Sequence, residues 1–270
     1  MLEVSRSSYY AWKKRKPSNR ARENEELQQQ IREIFYRYKK RYGSRRITKE
    51  LHDAGKRYNI KRVAHLLNTL GLRAKASRKF KRSTSKRLRN DGIIDLVKRE
   101  FHSMQLNQLW SSDITYLWTK EGWLYLAVVL DVCSRKVVGY AISQRMTGTL
   151  VAQAVQRAVY QRTVTRETIF HSDRGSQFGS NEVTMLLKEF QLRQSMGATG
   201  SCYDNAIIET FFHTLKVEAI HGEKFESRKE LELHIFDYIE CFYNTQRKHS
   251  ALGYLSPEQF EQQLLKNYVD

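Results

Sequence analysis

Apolar and polar positions alternate along the chain in two rhythms. From Glu23 to Tyr38, Leu27, Ile31, Ile34 and Phe35 recur at helical spacing. In RYGSRRITKELHDAG, Ser44 is a good N-cap, Ile47 and Leu51 lie one turn apart, and Gly55 stops the helix. A third helix is expected after the cap Asn59, with Ile60, Val63, Leu66, Leu67 and Leu70 inward and Gly71 at its end. Lys61, Arg62, His65 and Asn68 then face outward. Three short helices of this kind suit a helix-turn-helix; a small bundle with a solvated basic face is the alternative.

Beyond residue 105 the rhythm changes. QLWSSDITYLW alternates as a strand does, a turn at Lys120–Gly122 follows, and WLYLAVVLDVC is apolar enough for a strand buried on both faces. KVVGYAIS is a third strand, completing an antiparallel meander. Helix 149–162 turns Leu150, Val151, Ala154, Val155, Ala158 and Val159 inward; TIFHSD, helix 181–190 capped by Ser180, and LRQSM come next. The order predicts an α/β fold, a mixed five-stranded sheet covered by helices, in the strand order of a ribonuclease H. A right-handed crossover lays strand 168–172 parallel to strand 108–118, which brings Asp113 and Asp173 onto neighbouring strands.

DNAIIETFFHTLK (204–216) predicts the last helix of this core. Ile207, Ile208, Phe211, Phe212 and Leu215 fill a sector about 140° wide, the width of a core-facing stripe. Asn205, Glu209, His213 and Lys216 fall beside it in a sector of about 80°. Paired carboxylates with few other donors favour Mg²⁺ or Mn²⁺, and two such ions serve phosphodiester chemistry. A third acid is needed. Residues 132–165 contain neither Asp nor Glu, so helix 149–162 does not supply it, and Glu209 is the nearest eligible acid on a later helix. Lys216 then lies where substrate phosphate would run. Asp131 reads as a turn cap rather than a fourth ligand, His171 as structural rather than catalytic, and Tyr203, Asp204 and Asn205 as shaping and capping the helix start.

Charge sharpens the picture. The chain has 270 residues and a formal net charge of +18, which points to a polyanionic partner, nucleic acid first. Between Arg73 and Arg89 there are nine Lys or Arg and no acid, including Lys79, Lys81 and Arg82. Such a block self-repels and reads as a linker that gains order against phosphates. No apolar run suits a membrane span and no leader is read at the start; Cys133, Cys202 and Cys241 have no zinc-ligand spacing; no phosphate-binding glycine motif suggests ATP hydrolysis. After the core, Leu231, Ile235, Tyr238 and Phe242 mark a further helix, and Ser256-Pro257-Glu258-Gln259 is a capping box. The expected organisation is a helix-turn-helix region over 1–72, a basic linker over 73–104, a catalytic core over 105–222 and a helical appendage over 223–270.

WSSDITYL (110–117), GWLYLAVVLDVCSRKVVGY (122–140), HSDRGSQF (171–178), SCYDNAIIETFFHTLKVE (201–218) and YNTQRKHSALGYLSPEQF (243–260) together resemble the integrase-core DDE transposases. Within them the chain is similar to the second-frame (OrfB-type) proteins of bacterial insertion sequences, relatives of retroviral integrases. The 35 residues between Asp173 and Glu209 match the family's spacing, and Lys216 matches its basic residue. YGSRRITKEL and NIKRVAHLLNTLGL look like its helix-turn-helix, where Arg45, Arg46, Lys61 and Arg62 would meet DNA. The resemblance implies a metal-binding catalytic triad of Asp113, Asp173 and Glu209. It implies hydrolysis at transposon ends, then joining of the freed 3′-OH to target DNA, without ATP or a covalent protein–DNA intermediate. It also implies terminal inverted repeats as substrate, an upstream first-frame protein as partner or fusion, multimers on DNA, and a cytoplasmic, nucleoid-associated setting. A catalytically idle DNA-binding regulator is the alternative; a ribonuclease H-type nuclease is disfavoured by the acid-free helix. The Tyr243, Asn244, Arg247 and His249 positions match a family motif whose chemistry the residues do not reveal.

Overall fold

A computed structural model describes residues 5–75, 93–97, 105–197 and 205–267. They belong to two compact units, Met1–Ser77 and Arg78–Asp270.

In the smaller unit, α1 (Arg6–Lys13) and α2 (Asn19–Arg37) precede α3 (Ser44–Asp53) and α4 (Ile60–Thr69). Leu27, Ile31, Ile34 and Phe35 of α2 are buried, as are Ile47 and Leu51 of α3 and Val63, Leu66 and Leu67 of α4. Asn59 caps α4 by accepting from Lys61 N at 2.8 Å, and Gly55 and Gly71 stop their helices with φ of 79° and 66°. Two expectations are corrected. Gly43, not Ser44, is the N-cap of α3, and Ser44 is already helical. Ile60 is 47% exposed because it opens α4, ahead of the turn that packs inward.

The larger unit holds the sheet. β1 (Leu109–Thr119), β2 (Gly122–Asp131) and β3 (Val137–Ser143) form the antiparallel meander; β4 (Ile169–Ser172) and β5 (Arg193–Met196) lie parallel beside β1, in the order β3-β2-β1-β4-β5. Helices α5 (Gly148–Gln161) and α6 (Asn181–Glu189) complete the expected pattern. On one face Trp110, Ala127, Val129 and Phe170 pack with the apolar side of α5 and with Val183 and Leu187 of α6. Gly139 of β3 permits this close approach: a Cβ there would overlap the Ala154 carbonyl oxygen and come within 2.7 Å of Ala158 N. The segment 93–97, expected to be linker, already packs here, with Ile93 and Val97 against the core and Leu96 N donating to Ser195 Oγ at 3.0 Å.

Helix α7 (Ala206–Leu215) buries Ile208, Phe211, Phe212 and Leu215 and runs on into a π-helical turn, Lys216–Ile220. α8 (Arg228–Phe236) likewise continues into a π-helical stretch, Asp237–Tyr243, before α9 (Pro257–Asn267). The capping box forms: Ser256 N donates to Gln259 Oε1 at 3.0 Å and Gln259 N to Ser256 Oγ at 3.3 Å. The C-terminal helices are fastened to the sheet. Asn244 Oδ1 accepts from Val137 N and its Nδ2 donates to Val137 O, both at 3.0 Å. Glu261 of α9 is nearly buried and bridges Lys136 at 3.3 Å and Arg162 at 2.5 Å.

Candidate active site

β1 pairs with β4 only as far as Ser112↔Ser172. One residue further along each strand stand Asp113 and Asp173, so the expected adjacency is present. There β4 ends while β1 continues to Thr119, so the two acids stand at the carboxyl end of the parallel pair, where α/β sheets commonly bind ligands. Asp113 is half-buried, and its Oδ1 accepts from Ile114 N at 2.7 Å. Asp173 Oδ1 accepts from Gly175 N at 2.9 Å, holding the carboxylate against the start of the next loop.

Asn205 brings α7 to this point. It is buried, its Oδ1 accepts from the Ser111 hydroxyl and its Nδ2 donates to Ser112 O at 2.9 Å. It was expected to cap the helix; it makes no side-chain cap bond and instead straps the helix start to β1. Tyr203 and Asp204 lie outside the described residues. Glu209 follows one turn later, its N–H donating to Asn205 O at 3.1 Å, and its side chain is exposed. At the far end of α7, Lys216 Nζ sits 5.2 Å from the centre of the Tyr116 ring.

Burial and neighbouring charge both act on these groups. The Asp113 carboxyl is pushed up to about 8, first by burial, then by the negative charge of Asp173 and more weakly of Glu209, with Lys216 opposing. Asp173 is also raised, by desolvation on its inner side, against the Gly175 hydrogen bond and the nearby His171. Lys216 is lowered by burial while Asp113 holds it up. The two aspartates are hard oxygen donors whose charged forms the surroundings disfavour, and a divalent cation would favour them. Among the described residues, no three of His, Cys, Asp and Glu lie close enough together to enclose a metal ion.

Other expected residues fall into clear places. Asp131 is fully buried and clamps the β2–β3 turn: Oδ1 accepts from Cys133 N (2.9 Å) and Ser134 N (3.0 Å), Oδ2 from Asn107 N (2.6 Å). His171 is buried with Nδ1 2.9 Å from Ser195 Oγ, tying β4 to β5. His213 is exposed on α7. In the smaller unit Arg45 and Lys61 are exposed, and Arg46 lies 5.4 Å from the Tyr42 ring. Arg62 is engaged within the unit, with Nη1 3.0 Å from Glu23 and Nη2 2.7 Å from Asn24. Lys79, Lys81 and Arg82 lie outside the described residues.

The sequence reading gave no chemistry to Arg247, and the structure supplies one. Its Nε and Nη2 donate to Glu218 Oε2 and Oε1, each at 2.8 Å, while the Tyr238 hydroxyl donates to Oε2 at 2.9 Å. Glu218 lies in the π-helical turn after α7, so this buried fork fixes the end of the helix bearing Glu209. Tyr243 completes the wedge, its ring 4.8 Å from Phe211 of α7 and edge-on to it.

Comparison with known proteins decides the family. Integrase core domain models match residues 104–202 and 209–265, and an HTH-like domain model matches 21–80. The chain is 47% identical to transposase InsF for insertion sequence IS3A of Escherichia coli K12, over 97% of this chain and 91% of that protein. The chain belongs to the insertion-sequence transposases with an integrase core. A second transposase relative, for insertion sequence element IS904 of Lactococcus lactis, is 41% identical over 92% of this chain and 98% of its own length. Among solved structures, the catalytic core domain of BIV integrase aligns with 60% of the chain and 99% of its own, at 20% identity and a TM-score of 0.44. The HTLV-2 integrase catalytic core domain in complex with magnesium aligns with 59% and 99%, at 14% identity and a TM-score of 0.45. In this chain a helical unit with an HTH-like segment accompanies the integrase-type sheet. Among the described residues no helix is long and apolar enough to cross a membrane.

Proposed function

We propose that this transposase cleaves the ends of its own element and joins them to new DNA by divalent-metal-dependent hydrolysis and 3′-OH strand transfer. Asp113, Asp173 and Glu209 form the catalytic carboxylate set; as they stand they do not enclose an ion, and they would have to draw together around Mg²⁺, or Mn²⁺, to hold it as a pair of ions. Bound there, such ions polarise the scissile phosphate and activate an attacking oxygen. The protein's own part is positioning. The β1–β4 pairing sets the two Asp side by side, the Asn205 strap sets the start of α7, and the Glu218–Arg247 fork sets its end. Lys216 offers a cation to the DNA phosphate as it enters. The observation that carries the reading is the placement of Asp113 and Asp173 one residue beyond the last β1–β4 pair, with Glu209 one turn into the helix that Asn205 straps to β1.

The helical unit, through Arg45, Arg46, Lys61 and Arg62, and the basic stretch with Lys79, Lys81 and Arg82 bind the terminal inverted repeats. The domain scheme is residues 1–72 for end recognition, 73–104 as basic linker save for 93–97, which packs on the core, 105–222 as catalytic core and 223–270 as its brace. An upstream first-frame protein acts with or fused to this chain, and multimers bring two ends together on DNA in the cytoplasm.

Glu209→Gln tests the assignment. With Mg²⁺ and DNA carrying the element's terminal repeats, in the presence of the upstream protein, cleavage and joining should vanish while DNA binding persists. Joining retained by the variant overturns the triad. Joining absent from the unsubstituted protein under the same conditions favours an idle DNA-binding regulator.

A further inference from the structure

The β1–β2 hairpin outruns its neighbours: β4 leaves β1 after Ser112 and β3 pairs with β2 only from Tyr125 onward, so the hairpin tip stands clear of the sheet. The tip continues the face that carries Trp110, Ala127 and Val129 further down. There it presents Tyr116, Trp118 and Trp123, 57%, 56% and 46% exposed. Trp118 and Trp123 face each other in register, with ring centres 4.7 Å apart and planes at 71°; Tyr116 meets Trp123 at 5.2 Å and 88°. Edge-to-face contacts of this sort fix the rings while leaving ring faces open. The turn itself is pinned, with Lys120 N donating to Phe225 O at 3.1 Å and Arg228 N to Glu121 Oε2 at 2.9 Å. One exposed ring needs no explanation, but three contiguous rings on a pinned hairpin form a surface.

We propose that this ledge stacks unpaired nucleobases of the DNA that enters the candidate active site. The inference rests on the reading above, that the neighbourhood of Asp113 and Lys216 receives DNA. Tyr116 is three residues beyond Asp113 on β1 and faces the other side of the sheet; the two meet around the edge that β4 leaves free, where the Lys216 ammonium lies 5.2 Å from the Tyr116 ring and feels the Asp113 charge. A cation for phosphate beside open aromatic faces is the combination that binds single-stranded nucleic acid, and it tolerates any sequence because every base has a flat face. Bases within a duplex are already stacked, so only frayed or single-stranded nucleotides can use it. A second copy of the chain is a poorer occupant, since each copy carries a net charge of +18 and their like charge opposes association.

The test separates stacking from chemistry by using Glu209→Gln protein throughout. Its probes are a blunt duplex of about 20 base pairs and the same duplex with a short single-stranded thymine tail. The parent should prefer the tailed DNA. Adding Trp118→Leu or Trp123→Leu keeps apolar area but removes the ring, and should lower affinity for tailed DNA by about 5- to 100-fold with blunt DNA unaffected. Trp118→Phe should keep most of the preference, and thermal melting checks that each variant is folded. The proposal is overturned if the parent shows no preference, if the Leu variants retain it, or if they weaken both DNAs equally. It is overturned equally if the Leu variants lose self-association in sedimentation while still discriminating tailed from blunt DNA. Binding is read in EDTA, where metal-dependent cutting cannot proceed, so none of these outcomes depends on whether Glu209 is catalytic.

Discussion

Replacing Arg247 with Met leaves Glu218 as a buried carboxylate without its cation. The two side chains are 7% and 6% exposed, and two bonds of 2.8 Å form a fork between them. Breaking one partner out of such a pair costs about 3–5 kcal/mol, a large share of the roughly 5–15 kcal/mol that typically holds a domain together. The double substitution Glu218→Gln with Arg247→Met removes the charge as well as its partner and should recover at least half of that loss. Urea unfolding followed by tryptophan emission is the assay. It reports chiefly on the larger unit, where Trp110, Trp118 and Trp123 lie. A single-variant loss below about 1 kcal/mol, or a double variant that equals the sum of the singles, would refute the view that this fork braces the end of α7.

Asp113 gives a pH-dependent prediction. Its carboxyl is raised from 3.8 to about 8, so the folded chain keeps a proton that the unfolded chain has released. Stability of the protein in EDTA should therefore fall as pH rises between those values, and Asp113→Asn should be more stable than the parent at the upper end by about 1–2 kcal/mol. A flat stability–pH profile in that window counts against the crowding of carboxylates. Asn205→Ala breaks both links from α7 to β1, costing about 1–3 kcal/mol in chemical denaturation, and joining should fall more than DNA affinity does. Equal falls would mean that Asn205 serves general stability alone. Gly139→Ala forces a methyl group into the α5 backbone and should cost about 1–3 kcal/mol in thermal unfolding; an unchanged midpoint would show that α5 yields freely.

Much of the fold is legible in residue order. The alternation over 108–118, the continuously apolar β2 and the helical spacing of α5 leave little choice of element, and crossover handedness then aligns β4 with β1. Asp113 and Asp173 become neighbours as a consequence. Local chemistry is less legible. Ser44 has the makings of a cap, yet Gly43 takes the place because the helix begins one residue earlier than the side-chain preference suggests. Asn205 reads as a cap for the same reason, but the serines it serves are far away in sequence. The Glu218–Arg247 fork has no periodic signature at all, since the partners belong to different helical segments that only tertiary packing brings together. The π-helical stretches are equally silent: Leu231, Ile235, Tyr238 and Phe242 keep a spacing that an α-helix satisfies as well.

The π-helical turn Lys216–Ile220 closes with His221 N donating to Lys216 O at 2.7 Å, a ring one residue wider than an α-helical one. Such a turn is the winding that houses one residue more than an α-helical turn does, so a single excision there can relax to ordinary winding with the chain beyond it still in phase. An excision inside Ala206–Leu215 has no such slack and turns everything after it by about 100°. Deletion scanning should accordingly be harsher within α7 than within the turn that follows it, provided Glu218 itself is kept.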